Sequence, residues 1–329
     1  MKTLQIVTTA SRIGEQWAGI PGVEVTPGGR LFVVWYSGGR CEPAPENTIY
    51  LCASDDGGAI FSSPVTMVAP RDGARAFDPT LWFAPNGVLW LIFNRGNKDT
   101  AEHGVYARCC TTPDAAVPGW GEEFRVEYDA PYSFRMNKPT ALSSGEWVMP
   151  VTLAAQPIYA WFAGAAQRQG VAISRDQGKS WTLHGAVDAP EWALENMIIE
   201  RQDGTLAMYI RTGAGVLWLS LSMDRGLSWS SGIPTTISNP GSRFYLRQLP
   251  DSDWLLLNSP DPTLRTGIVA QLSSDEGASW HGQLLLDSRD NVSYPDAALA
   301  TDGTIYAVHD RDRNGVGEIL LSIFRKEEI

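Results

Sequence analysis

Glu195-Asn-Met-Ile-Ile-Glu-Arg-Gln-Asp203-Gly204-Thr-Leu-Ala-Met-Tyr-Ile-Arg211-Thr212 is followed by a Gly-rich gap. A further apolar run, Val216 to Ser222, then ends in Ser222-Met-Asp224-Arg-Gly226-Leu-Ser-Trp229. Two short apolar runs flank Asp203-Gly204, a pair that predicts a type I′ β-hairpin. The third run and its tight turn extend this to an antiparallel meander of three or four strands. The pattern recurs along the chain, so the stretch is one unit of a repeat.

Asp203-Gly204 has counterparts at Gly28-Gly29, Asn86-Gly87, Ser144-Gly145, Asp251-Ser252 and Asp302-Gly303, each between apolar runs. Their spacing, about 45–60 residues, is that of one propeller blade. A later strand follows in each unit: Thr48–Ser54, Gly104–Cys110, Gly170–Ser174, Val216–Ser222, Gly267–Ser273 and Gly317–Phe324. Helical periodicity is almost absent, whereas 13 Trp, 32 Gly and 21 Pro suit many strands and turns. The expected fold is all-β, a single six-bladed β-propeller domain spanning 1–329. Leu4–Thr9 has no hairpin partner nearby, and is predicted to add the outer strand of the last blade and close the ring.

Four later strands run into one turn, Ser-x-Asp-x-Gly-x-x-aromatic: Ser54/Asp56/Gly58/Phe61, Ser174/Asp176/Gly178/Trp181, Ser222/Asp224/Gly226/Trp229 and Ser273/Asp275/Gly277/Trp280. The Ser and Asp side chains can bond backbone groups of their own turn, and Gly accepts a positive φ. Cys110 to Trp120 resembles a degenerate fifth copy. These turns are similar to the Asp box, and along nearly its whole length the chain resembles the sialidase (neuraminidase) superfamily of BNR/Asp-box proteins. That resemblance implies a six-bladed propeller, in agreement with the count of six hairpins. It also implies that the Asp boxes are structural and lie on the rim.

The channel is a better place to look for chemistry. Eight or so residues before each hairpin, where the innermost strand begins, stand Ile20, Asp78, Lys138, Glu195, Arg243 and Tyr294. Five of the six are polar or ionisable, which is costly on a strand hemmed in by its neighbours unless the charges are paired or used. The next strand offers Tyr36, Arg95, Arg211, His309, Asp310 and Arg311, and Arg265 precedes a later strand. Arginine grips carboxylates with a planar fork of donors, so an anionic small molecule is the expected ligand.

Retaining enzymes of this superfamily use a tyrosine nucleophile with a glutamate base, an arginine triad for the sugar carboxylate, and an aspartate acid/base. By resemblance, Tyr294 is placed like the nucleophile, Glu195 like its base, and Arg211 and Arg265 like the second and third triad arginines. Two departures stand out. The first triad arginine belongs to an Arg-Ile-Pro motif, but Ala18-Gly19-Ile20-Pro21 stands here. The loop Gly38–Asn47 should hold an acidic Asp but offers Glu42 and Glu46 instead. Arg243 or Arg40 could replace the arginine, and Glu42, Glu46 or Asp78 could serve as the acid. Asp78 and Lys138 are extra charges that suggest a changed specificity.

The expected function is exo-acting hydrolysis of a terminal acidic sugar, such as sialic acid. A neutral phenol avoids the repulsion that a carboxylate nucleophile would meet beside a carboxylate-bearing anomeric carbon, but needs a base. Two other readings stay open. One is a glycosidase or lyase on a uronate or rhamnose-linked uronate, with Lys138, Tyr294 and His309 as the acid/base set. The other is a non-catalytic sugar-binding propeller. The expected partner is an acidic glycan or oligosaccharide, and no cofactor or metal is expected.

The net charge of −11 argues against nucleic acid. No apolar run spans a bilayer and the N-terminus lacks a signal-peptide core, so a cytoplasmic location is expected. The spacing of Cys41, Cys52, Cys109 and Cys110 fits no zinc motif. Tyr159, Trp161 and Phe162 lie in a long insertion that could cover the pocket or pack between blades.

Overall fold

A computed structural model describes residues 3–97, 102–127, 137–154, 167–190 and 192–329. Tyr159, Trp161 and Phe162 lie outside the described residues. Six four-stranded antiparallel sheets form a β-propeller. The first blade is Ala18–Val25, Leu31–Ser37, Thr48–Ser54 and Val65–Val68, and the second is Arg75–Phe83, Leu89–Gly96, His103–Cys110 and Phe124–Arg125. The third is Thr140–Ala141, Trp147–Ala154, Gln167–Ser174 and Thr182–Val187. The fourth is Ala193–Glu200, Leu206–Thr212, Val216–Ser222 and Ile233–Ser238. The fifth is Tyr245–Gln248, Trp254–Asn258, Thr266–Ser273 and His281–Asp290. The sixth is Val292–Leu299, Thr304–Arg311 and Glu318–Arg325, completed by Thr3–Thr9 from the N-terminus, which pairs antiparallel with Glu318–Arg325. The ring closes as expected, between the first strand of the chain and the last.

The second strand of each blade is buried on both faces. Leu31–Ser37, Leu89–Gly96 and Leu206–Thr212 are buried at every residue, because a blade is sandwiched between two others. This explains why these strands read as continuous apolar runs, not as an alternating pattern. The core is correspondingly split into seams. One apolar cluster joins blades two and three through Trp82, Trp90 and Trp147, with Trp82 and Trp147 edge-to-face at 4.8 Å.

The six hairpins occur where expected, but their turn type differs. At the fourth, Gly204 N–H donates to Arg201 O and Arg201 N–H donates to Thr205 O. Gly204 has φ +83° and Asp203 stays at negative φ. A type I′ turn would need two positive φ values; this is a type I turn closed by a left-handed bulge residue. The same pair of bonds recurs at Gly29, Gly87, Gly145, Ser252 and Gly303, all at positive φ.

The Asp boxes are self-bonded turns. Ser222 Oγ donates to Asp224 Oδ1 and accepts Gly226 N–H, both at 2.8 Å, while Asp224 Oδ1 also accepts Ser228 N–H. The hydroxyl of Ser228 and these backbone groups hold the Asp224 carboxyl down at about 2. Each box leans on the preceding blade: Gly178 faces Trp90 and Trp147, Gly226 faces Val171 and Ile173, and Gly58 faces Leu321 across the closing seam. Cys110 bridges Trp120 at the place of the degenerate copy.

Candidate active site

The innermost strands of four blades share one irregularity. The ladder slips between Gly19 and Gly22, Phe77 and Thr80, Leu194 and Met197, and Ser293 and Asp296. At each slip one residue of the channel column takes a left-handed backbone: Ile20 at φ +56°, Asp78 at +49°, Glu195 at +55° and Tyr294 at +56°. Such φ values are strained for residues with side chains, and bulges of this kind re-aim a side chain away from the pleat. Neighbouring blades satisfy the backbone groups the slips release. Ile20 N–H bonds Asp310 Oδ2 at 2.7 Å and Val23 N–H bonds Asp296 Oδ2 at 2.8 Å. Asn137 donates to the carbonyls of Glu195 and Asn196.

Tyr294 is the centre of the site. Arg211 Nη1 donates to its hydroxyl at 3.3 Å and also to Glu195 Oε2, so phenol and carboxylate converge on one nitrogen. The guanidinium carbons of Arg211, Arg243, Arg265 and Arg313 lie 5.6, 5.2, 5.2 and 4.6 Å from the Tyr294 ring centroid. Arg243 is anchored by Pro21 O at 2.9 Å and Arg265 by Gly241 O at 3.0 Å. Burial would lower the pKa of Arg211, but Glu195 and Tyr294 outweigh it and raise the value. The cation is therefore permanent.

A second group lies beside this ring of cations. Burial pushes the Asp78 carboxyl up to about 7, and the charges of Glu42 and Glu195 push the same way against Arg243 and Arg75. Tyr36 is fully buried and packs at a tilt against Trp17, with ring centroids 4.8 Å apart. Its hydroxyl lies against Glu42, short of a well-formed hydrogen bond, and burial first and Glu42 second raise its pKa well above the usual phenol value. Glu42 Oε2 pairs with Arg313 Nη1 at 3.2 Å.

Other expected site residues are engaged elsewhere. Lys138 shares the column position but not its left-handed backbone, and its regular strand begins only at Thr140. Its amine spans to blades one and six, bonding Val23 O and Ala297 O and pairing with Asp296 at 3.2 Å. It is a buried tie between blades. Arg95 is held by Glu123 through two bonds of 3.0 and 2.7 Å and by Ala69 O. His309 faces Asp287 at 3.0 Å, and Arg311 pairs with Glu318 at 2.8 Å. Both flank Asp310 on an extended strand, and alternation turns them away from it. Lys138, His309 and Tyr294 therefore do not form one acid/base set. Arg40 and Glu46 are exposed on the first-blade loop, and Arg40 does not join the guanidinium ring. Among the described residues no group of three or more His, Cys, Asp or Glu is placed to hold a metal ion.

Two neighbours of Tyr294 and Arg211 were not anticipated. Arg313 sits in the connection between the last two strands, outside the repeat positions. Trp192 is 41% exposed, and Arg211 lies 5.1 Å from its ring. Only the position of Trp192, three residues before Glu195, hinted at it.

The family model for the BNR repeat-like domain matches residues 29–307. The chain belongs to this family. Comparison of its sequence with curated proteins finds no match. Among solved structures, the chain is similar to the Hadza microbial sialidase Hz136, with TM-score 0.83 and 17% identity over 99% of this chain and 69% of that one. It is also similar to Trypanosoma rangeli sialidase in complex with sialic acid, with TM-score 0.73 and 15% identity over 94% of this chain. It spans about half of that enzyme, 54% of its length. A protein of unknown function from Dyadobacter fermentans is similar over 98% of this chain and 99% of its own, with TM-score 0.74 and 15% identity. At such identities the likeness establishes a sialidase-like fold.

Proposed function

We propose that this propeller is an exo-acting, retaining glycoside hydrolase for a terminal acidic sugar, sialic acid or a close relative. One observation carries the reading: a tyrosine hydroxyl and a glutamate share one arginine nitrogen, inside a ring of four guanidinium groups. A lone phenol is a poor nucleophile at neutral pH because its proton leaves only near pH 10. Glu195 accepts that proton as Tyr294 Oη attacks the anomeric carbon, and the guanidinium groups stabilise the phenolate character. The bond to the leaving oxygen breaks as that oxygen takes a proton from a carboxylic acid. Asp78, raised to about 7, holds a proton near neutrality and suits that role. Water, deprotonated by the same carboxylate, then displaces Tyr294 from the sugar, and Glu195 returns its proton to the departing phenolate. The cations hold the substrate carboxylate throughout.

The substrate is tested by incubating the protein with a fluorogenic α-sialoside and a panel of uronic-acid glycosides. Hydrolysis of the sialoside supports the proposal. Turnover of uronosides alone would replace sialic acid with a uronate, and release of an unsaturated, ultraviolet-absorbing product would contradict hydrolysis in favour of a lyase. No turnover on any acidic glycoside contradicts the proposal.

A further inference from the structure

Gly19 occupies the place of an arginine in the motif that Ile20-Pro21 otherwise resembles. The space its side chain would need is already filled. A Cβ built on Gly19 would overlap Cδ of Arg313, stand 2.7 Å from its Cγ and 3.0 Å from Asp310 Oδ2. Arg313 enters from the opposite side of the closing seam, from the connection between Thr304–Arg311 and Glu318–Arg325. Its aliphatic stem lies on the Gly19 backbone, and its guanidinium carbon is 4.6 Å from the Tyr294 ring, the shortest of the four distances.

The group is built in. Arg313 Nε lies 3.7 Å from Asp310 Oδ2, and Nη1 bonds Glu42 at 3.2 Å. Asp310 also accepts the Ile20 N–H and the Ser293 hydroxyl, both at 2.7 Å. One carboxylate therefore ties together the slipped strand at Ile20, the residue preceding Tyr294, and Arg313. The Arg313 side chain keeps 18% of its surface exposed, so a ligand at Tyr294 can reach it.

We infer that Arg313 is a substrate-binding residue that supplies, from the sixth blade, the guanidinium that a residue-19 arginine would have supplied from the first, and that residue 19 is glycine because the Arg313 stem requires its volume. This rests on the proposed acidic-sugar hydrolase. The ligand group it takes is the substrate carboxylate, shared with Arg211, Arg243 and Arg265.

Arg313→Gln keeps most of the stem packed on Gly19 and removes the charge. KM and kcat are measured on the acidic glycoside that the wild type turns over and on its methyl ester, with thermal unfolding as the control for folding. The expected result is a KM for the acid raised by about 10–100-fold, the range for a lost hydrogen bond to a charged group, with little change for the ester. Gly19→Arg alone disrupts the site, because two side chains compete for one volume. In the double variant Gly19→Arg/Arg313→Gly the preference for acid over ester returns. If Arg313→Gln leaves that preference intact in an active, folded enzyme, the inference is wrong and the hydrolase reading stands. If the wild type turns over no acidic glycoside, both fall. If Arg313→Gln does not fold, the double variant decides: a folded enzyme without acid preference overturns the inference.

Discussion

Four guanidinium groups around one phenol would repel each other if they stood alone. Glu195 neutralises Arg211, and Asp310 and Glu42 neutralise Arg313, while the site stays rich in donors aimed at an anion. The residues of this constellation were legible to different degrees. Glu195, Tyr294 and Arg243 could be found by counting back from the hairpins, and Arg211 by counting forward, because the repeat fixes where each strand enters the channel. Lys138 obeys the same count, but its amine lies in the seam between blades, held by the carbonyls of Val23 and Ala297. Arg313 could not be counted at all, since it lies in a connection that the repeat leaves free. Its only trace in the sequence is the missing side chain at Gly19.

Asp78 carries a pH prediction at this same scale. Its folded pKa, about 7, lies above its ordinary value of 3.8. The folded state thus holds a proton that the unfolded state releases, and stability contributed at low pH is lost as pH rises through about 7. Unfolding measured from about pH 4 to 8 should show this loss, complete once pH passes about 7, and Asp78→Asn should flatten it. As general acid, Asp78 should also make kcat/KM decline above about pH 7. Asp78→Asn should remove that limb and slow glycosides with poor leaving groups far more than aryl glycosides. Equal slowing of both classes in kcat/KM, which reports the first step alone, would exclude Asp78 as the acid.

At the scale of the element, each hairpin turn depends on one residue at positive φ. Glycine takes it in five blades, and Ser252, at φ +76°, takes it in the fifth. A left-handed conformation costs a residue with a Cβ about 1–2 kcal/mol. Ser252→Gly should therefore stabilise the fold by roughly 1 kcal/mol and Gly204→Ser should destabilise it by about as much. Denaturant unfolding checks both. The hairpin positions were legible because Asp-Gly and Asn-Gly punctuate apolar runs. The turn type was not, because a Gly after Asp serves a type I turn with a bulge as well as a type I′ turn. Cross-strand register chooses between them.

For the whole molecule, the decisive event is closure. Thr3–Thr9 pairs with Glu318–Arg325 and covers what would be an open edge, while the first Asp box packs on Leu321 of the same blade. Deleting residues 3–9 should lower the unfolding temperature and promote self-association, as read by scanning calorimetry and light scattering. An unchanged melting profile would mean that the ring does not depend on this strand. Six blades and their closure could be read from the chain, since every blade repeats the same punctuation. The contents of the channel could be read only in part, since they combine repeat positions with loops whose course the repeat does not set.

The central claim is that Tyr294 attacks the sugar. A 2,3-difluorinated acidic sugar should let a glycosyl-enzyme accumulate, because the C3 fluorine slows both steps by destabilising positive charge at the anomeric carbon while the anomeric fluoride, a good leaving group, restores the rate of formation alone. Mass spectrometry of the digested protein should then find one sugar mass added to the peptide bearing Tyr294, and none in Tyr294→Phe. An adduct on Asp78, Glu42 or Glu195, or turnover that survives in Tyr294→Phe, would contradict it.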